Sequence, residues 1–205
     1  MRRSFPIAVL VSGEGSNLQV LIDTLHGNEV EIVGVGANRP EARGLERARA
    51  AGIETAVFPK ADYADRAQRD AALADWIESL GVKLVVLAGF MELLTPGFIA
   101  RFPNAIVNVH PALLPAFAGM NAIEQALEAG VKVAGVTVHF VDEGVDSGPI
   151  ILQRAFELSY ARDIAVVEQQ VHEIEHELLP RAVSLIARGK VSLDPSDPRW
   201  VVVDE

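Results

Sequence analysis

The stretch "PIAVLVSGEGSNLQVLIDTLHG", Pro6 to Gly27, decides how the rest of the chain is read. Its first part, "PIAVLV", is a continuous apolar run ended by a glycine turn. That is how a strand buried on both faces of a parallel sheet reads. Leu18, Leu21, Ile22 and Leu25 then recur at helical spacing, and Gly27 is a stop signal. A strand that passes through a glycine turn into a helix opens a βαβ unit.

The alternation continues outward from this unit. "VEIVGVGAN", "IETAVFP", "KLVVLAGF" and "AIVNVH" read as further strands, and "KLVVLAGF", apolar throughout, as a central one. Between them lie the helix "RGLERARAAG", closed by Gly52, and "AQRDAALADWIESLG", with Leu73, Trp76, Ile77 and Leu80 on its inner face. A short helix or turn, "TPGFIARFP", precedes the fifth strand. Five strands with helical crossovers predict an α/β, doubly wound, mainly parallel sheet with flanking helices. Ligands bind such sheets outside the carboxyl ends of the strands. "SGEGSN", "GFMELL" and "NVHPALLP" all lie at such ends and are expected to meet.

The second half reads as a helix "AIEQALEAG", two strands "KVAGVTVHFVDEG" and "PIILQRAFEL" joined by "DEGVDSG", and one long helix from Ala161 to Gly189. Pro180 inside that helix predicts a kink or break. A short strand and an acidic tail close the chain. Residues 1–190 are read as one domain and 191–205 as an appended carboxyl-terminal strand and tail.

The chain has 205 residues, half of them hydrophobic, and a formal net charge of -10. That charge argues against general binding to nucleic acid or an anionic membrane. The absence of cysteine excludes disulfides, thiolate nucleophiles and Cys-type zinc sites, and suits a reducing compartment. The first apolar run is too short for a membrane span and lacks a cleavage pattern, so a cytoplasmic location is expected.

Four segments carry candidate chemistry. In "SGEGSN", Gly13 and Gly15 allow close backbone approach, and Ser16 and Asn17 open a helix whose N–H groups and dipole attract phosphate. The dinucleotide fingerprint fails because Leu18 stands at the third glycine, and the P-loop fails for want of a lysine. A plain capped helix is the alternative, and Glu14 within the turn speaks mildly against an anion. In "NVHPALLP", Asn108 and His110 share one strand face and Val107 and Val109 the other. An amide donates to a developing oxyanion, and an imidazole moves a proton near neutral pH. In "VDEGVDSGP", Asp142, Glu143 and Asp146 form an acidic turn, and a carboxylate from it would hold an imidazolium beside it. "HEIEH", His172 to His176, matches a zinc-hydrolase pattern with Glu173 as base, but it sits in an ordinary amphipathic helix and reads better as a polar face. No metal site is expected. His139 reads as structural or supporting, and His26 as a helix C-terminal cap residue.

Taken in order, "SGEGSNLQ", "GLERARAAGI", "VVLAGFMELL", "NVHPALLPAFAG", "GVTVHFVDEGVDSGPII" and "EQQVHEIEHELLP" resemble the glycinamide ribonucleotide formyltransferase family. That family belongs to the enzymes that take a formyl group from 10-formyltetrahydrofolate. The resemblance implies a Rossmann-like formyltransferase fold and a step of purine biosynthesis. It implies Asn108, His110 and Asp146 as the catalytic trio. Gly15, Ser16 and Asn17 would form the phosphate loop, with His172 and Glu175 on the ribonucleotide and Glu175 at its ribose. On the folate side it implies Arg66, Met91, Glu92, Leu93, Leu94, Asn108, Asp142, Glu143, Gly144, Val145 and Asp146. The folate is a consumed co-substrate and no cofactor is held permanently. The partners implied are small molecules, without nucleic acid or membrane, and a homodimer is compatible with the reading.

The chain departs from the family pattern in four places. Ala118 and Asn121 stand where many relatives show proline and histidine, Ala112 where serine is common, and Glu92 where some carry arginine. The competing readings are formyl transfer to methionyl-tRNA or a nucleotide sugar, hydrolysis of formyl-folate, a zinc hydrolase, and a non-catalytic folate- or nucleotide-binding protein.

Overall fold

A computed structural model describes residues 4–158 and 163–204. The chain divides into two compact units, the first ending at Val107 and the second beginning at Asn108.

In the first unit β1 (Phe5–Val11) lies between β2 (Val30–Ala37) and β4 (Leu84–Leu87), parallel to both. β3 (Thr55–Val57) pairs parallel with β2 on its far side, giving the order β3-β2-β1-β4. Ile7 to Leu10 and Leu84 to Val86 have almost no exposed surface, which is why these runs are apolar without alternation. Each Ile, Val or Leu among them stabilises the fold by about 1.5–3 kcal/mol. The third strand is shorter than "IETAVFP" suggests.

Three helices cross over between these strands: α1 (Ser16–Thr24), α2 (Arg43–Ala50) and α3 (Arg66–Ser79). α3 starts at Asp65, whose carboxylate accepts from the Gln68 N–H at 2.8 Å. Its inner face is the expected one: Leu73 and Ile77 are buried, and Trp76 and Leu80 lie over β2. Gly34 makes that approach possible, since a Cβ there would stand 2.5 Å from Leu80 Cδ1 and 2.9 Å from the Trp76 ring. The short α4 (Pro96–Ile99) has proline in its first turn and the Thr95 hydroxyl as its cap.

In the second unit β5 (Ile106–His110), which starts just before the boundary, is followed in the sheet by β6 (Val133–Phe140) and β7 (Ile150–Glu157). The last two are antiparallel, with a bulge between Val138 and His139. α5 (Ala122–Ala129) and α6 (Ile164–Ala187) pack in this unit, α6 against β6 and β7. Val167, Val171, Glu175, Leu178 and Ala182 form the buried stripe of α6, so an acid occupies a place in an apolar row.

Two expectations are corrected here. α6 runs through Pro180 without a break. Pro180 is buried among Leu178, Leu179, Ala182 and Val183, and their packing outweighs the missing backbone hydrogen bond. The acidic tail also returns as a strand: β8 (Val191–Leu193) pairs antiparallel with β9 (Val201–Val203). The turn is organised by Asp194, whose Oδ1 accepts from the Ser196 N–H at 2.7 Å and hydroxyl at 2.6 Å. Among the described residues no helix is long and apolar enough to cross a membrane.

Candidate active site

Within the first unit the loops after β1 and β4 meet, where the strand order reverses direction. The Ser12 N–H donates to the Gly89 carbonyl at 3.0 Å, and the Ser12 hydroxyl accepts from the Met91 N–H at 2.8 Å. "SGEGSN" and "GFMELL" are therefore neighbours, as a doubly wound sheet requires at a switch point.

Gly15 is the residue before α1 and has φ +69°, a left-handed conformation without strain only for glycine. It also touches α2: a Cβ there would stand 2.6 Å from Gly44 Cα. No side chain caps α1. Ser16 and Asn17 open the helix, so its first-turn backbone N–H groups lie at this turn. Glu14 is turned aside, its carboxylate 2.9 Å from Arg43 Nη1, while Arg47 Nε donates to the Glu14 carbonyl at 2.8 Å. The acid in the turn is thus tied to a neighbouring arginine. Arg66 is exposed in the first turn of α3. In the segment after β4, Met91 and Leu93 are exposed apolar side chains, Leu94 is half-buried, and Glu92 is engaged by Arg69.

In the second unit the trio is assembled around Asp146. Its Oδ2 accepts from the Gly119 N–H at 2.9 Å and lies 3.3 Å from His110 Nδ1. Its Oδ1 accepts from Asn108 Nδ2 at 3.3 Å and lies 3.5 Å from His139 Nε2. His110 Nε2 stands 2.9 Å from the Phe117 carbonyl, which accepts only. Both His110 nitrogens therefore face oxygen acceptors, and a ring carrying two N–H groups satisfies both. Burial opposes the charge on Asp146, but hydrogen bonds from His139 and the Gly119 N–H, with attraction from both histidines, hold its pKa below the ordinary aspartate value. Asp146 also has φ +49°, an uncommon conformation for a residue other than glycine, held by these four partners.

The loop around Asp146 is built to keep it there. Asp142 Oδ1 accepts from the Gly144 N–H at 3.1 Å and from the Ser147 hydroxyl at 2.8 Å. Glu143, Gly144 and Val145 at the tip are exposed. Asn121 adopts φ +58° before α5, a conformation asparagine tolerates better than most residues.

His139 contacts two members of the trio, in keeping with the supporting role read for it from the sequence. Its Nδ1 donates to the Phe140 carbonyl at 2.7 Å, leaving Nε2 toward Asn108, at 3.3 Å, and Asp146. Thr137, two residues before it on β6, fixes the chain that leaves His110. Its hydroxyl donates to the Ala112 carbonyl at 2.7 Å and accepts from the Leu114 N–H at 3.1 Å and Gln153 Nε2 at 2.9 Å. Two polar residues spaced by two in the apolar strand "VTVHFV" were the available signal. At the end of α1 the His26 N–H donates to the Leu21 carbonyl at 3.1 Å, and its Nδ1 accepts from the Ile32 N–H at 3.1 Å.

Elsewhere in this unit, Glu175 is buried on α6, and the exposed His172 stacks parallel to His176 with ring centroids 6.3 Å apart. Burial, together with repulsion from His172, lowers the His176 pKa. Glu173 accepts from Gln169 at 3.0 Å. Among the described residues no group of three or more His, Asp or Glu side chains could hold a metal ion.

The family model described as formyl transferase matches residues 5–183. The chain belongs to the formyl transferase family. It is 42% identical over 189 residues to the phosphoribosylglycinamide formyltransferase of Haemophilus influenzae, covering 91% of this chain and 89% of that one. Against the Bacillus subtilis phosphoribosylglycinamide formyltransferase it is 38% identical, covering 86% of this chain and 91% of that one. The crystal structure of glycinamide ribonucleotide transformylase 1 from Symbiobacterium toebii superposes with a TM-score of 0.94 at 42% identity, over 100% of this chain and 96% of that one. The mainly parallel sheet flanked by helices is thus the fold of these enzymes, as expected.

Proposed function

We propose that this formyl transferase moves a formyl group from 10-formyltetrahydrofolate to the amine of 5'-phosphoribosylglycinamide, giving formylglycinamide ribonucleotide in de novo purine biosynthesis. The observation that carries the reading is the Asn108–His110–Asp146 cluster at the end of β5, in a chain 42% identical to an enzyme named for this reaction.

The neutral amine attacks the formyl carbon, forming a C–N bond and a tetrahedral carbon with a negative oxygen. The Asn108 amide and a His110 N–H stabilise that oxygen. For His110 Nε2 to serve, the oxyanion takes the place of the Phe117 carbonyl that it meets in the free protein. Asp146 orients the ring through Nδ1 and balances its charge. Collapse breaks the bond to the folate N10. The proton given up by the amine reaches N10 through His110 or an ordered water.

In this reading the start of α1, at Gly15, Ser16 and Asn17, takes the phosphate. Glu175 holds the ribose hydroxyls, with His172 on the same substrate. Met91 to Leu94, Asp142 to Asp146 and Arg66 serve the folate, the main chain of 91–94 giving the polar contacts. The folate is consumed, no cofactor stays bound, and the reaction takes place in the cytoplasm with small molecules alone as partners. Residues 1–190 supply all of these groups.

The test is a formyl-transfer assay with purified protein, 10-formyltetrahydrofolate and the ribonucleotide. Deformylated folate should appear only when the ribonucleotide is present. Release without it would mean a hydrolase. Binding of both compounds without release would mean a non-catalytic binder.

A further inference from the structure

The segment Met91–Thr95 runs between β4 and α4 and belongs to neither, with Thr95 at its end capping α4. Polar contacts to distant residues hold it instead. Met91 is tied through its N–H to the Ser12 hydroxyl at 2.8 Å. Glu92 is tied through its side chain: Oε2 lies 3.1 Å from Arg69 Nη1, and Oε1 accepts from Asn38 Nδ2 at 3.4 Å. Thr95 donates its N–H to Asp70 Oδ2 at 2.7 Å. The other Asp70 oxygen accepts from Arg69 Nε and Nη2 at 3.0 and 2.7 Å. The segment is therefore clamped at Glu92 and at Thr95 by two adjacent residues of α3.

The clamp is costly to build. Arg69 is 1% exposed and Asp70 0%. A buried ion pair often stabilises no better than apolar side chains of the same volume. What it does provide is directional: a guanidinium offers donors in a rigid plane, here shared between two carboxylates. Burial works against both charges; hydrogen bonds to Asp70 and then to Glu92 outweigh it and raise the Arg69 pKa, and those from Arg69 and Asn38 lower that of Glu92. The carboxylate at 92 is thereby neutralised by a fixed partner. Left free, it would repel a folate, whose glutamate tail is itself anionic. Met91 and Leu93 meanwhile stay 59% and 57% exposed on either side of Glu92.

We propose that Arg69 and Glu92 are positioning residues for the folate. Their ion pair sets the main chain of Met91–Leu94 before the folate arrives, and it keeps the acid at 92 from opposing that anion. This rests on the reading that 91–94 serve the folate. It differs from a direct contact because the Glu92 carboxylate is engaged by protein.

The test compares Glu92→Gln, which keeps an acceptor for Arg69, with Glu92→Ala, which keeps none; residue 92 is partly exposed, so both variants should fold. Binding of 10-formyltetrahydrofolate, transfer kinetics and amide hydrogen exchange over 91–95 are measured on each. In Glu92→Ala the Kd and KM for the folate should rise about 10-fold, and the 91–95 amides should exchange about 10-fold faster. The kcat at saturating folate and the KM for the ribonucleotide should stay within about two-fold, with Glu92→Gln between wild type and Ala. Wild-type binding of the folate with unchanged affinity and exchange in Glu92→Ala overturns the inference alone. Equal losses in folate affinity, kcat and ribonucleotide KM overturn it too, since they would mark general damage. Failure of the wild-type protein to bind the folate overturns it together with the functional reading.

Discussion

Each of the two units holds one cluster of buried charge, and the two are built in opposite ways. Around Asp70 the cation is a guanidinium, charged at any working pH, whose forked donors are divided between Asp70 and Glu92. Around Asp146 the partners are an amide and two imidazoles, whose ring nitrogens can donate or accept, and the longest contacts are 3.3–3.5 Å. The first cluster can only hold a shape. In the proposed reaction the second would pass a proton and exchange a protein acceptor, the Phe117 carbonyl, for a substrate oxygen. Backbone strain follows the same division: Asp146 has a positive φ, and Arg69 and Asp70 sit in an ordinary helix.

The largest effect expected from this contrast is on turnover. Asp146→Asn should lower kcat by about 10³-fold while moving either KM less than about five-fold, measured by steady-state kinetics. Near-normal turnover would make Asp146 as static as Asp70. The converse change, Asp70→Ala, leaves the buried Arg69 without its main partner and should cost about 3–5 kcal/mol, a fall in Tm on the order of 10 °C. A thermal melt within about 2 °C of wild type would show that this cluster is not the rigid one.

A smaller effect comes with pH. The Asp146 pKa is depressed in the folded state, so the stability it contributes is present above its unfolded value, about 4, and is lost as pH falls through the folded value. Urea unfolding between about pH 6 and 3 should therefore lose stability more steeply in wild type than in Asp146→Asn. Parallel curves would remove Asp146 from the acid transition. The smallest effect sharpens the comparison from outside both clusters. Arg43 and Glu14 pair at 2.9 Å with side chains 63% and 66% exposed, and Arg43→Ala should change stability by less than about 1 kcal/mol in urea unfolding. A greater loss would mean that the turn before α1 depends on this surface pair.

How much of this was legible beforehand differs between the clusters for a physical reason. Asn108 and His110 show themselves by a spacing of two at the end of an apolar strand, and Asp146 by a glycine-rich turn. His139 carried the same kind of signal, one imidazole in an apolar strand, but its meaning depends on β6 lying beside β5. Arg69 and Asp70 carried none. Residues adjacent on a helix do not normally face each other, and "QRDA" reads as a solvated surface.

The sequence by itself determined the alternation of apolar strands and amphipathic helices, the glycine turn before Ser16 and the polar pair closing β5, because these are written in local periodicity and turn chemistry. Only the tertiary structure decided that Pro180 sits within a continuous helix, that the tail returns as a strand, and that Glu92 is engaged by a buried arginine. Each of those outcomes depends on packing or charge partners distant in sequence, and no local pattern records them.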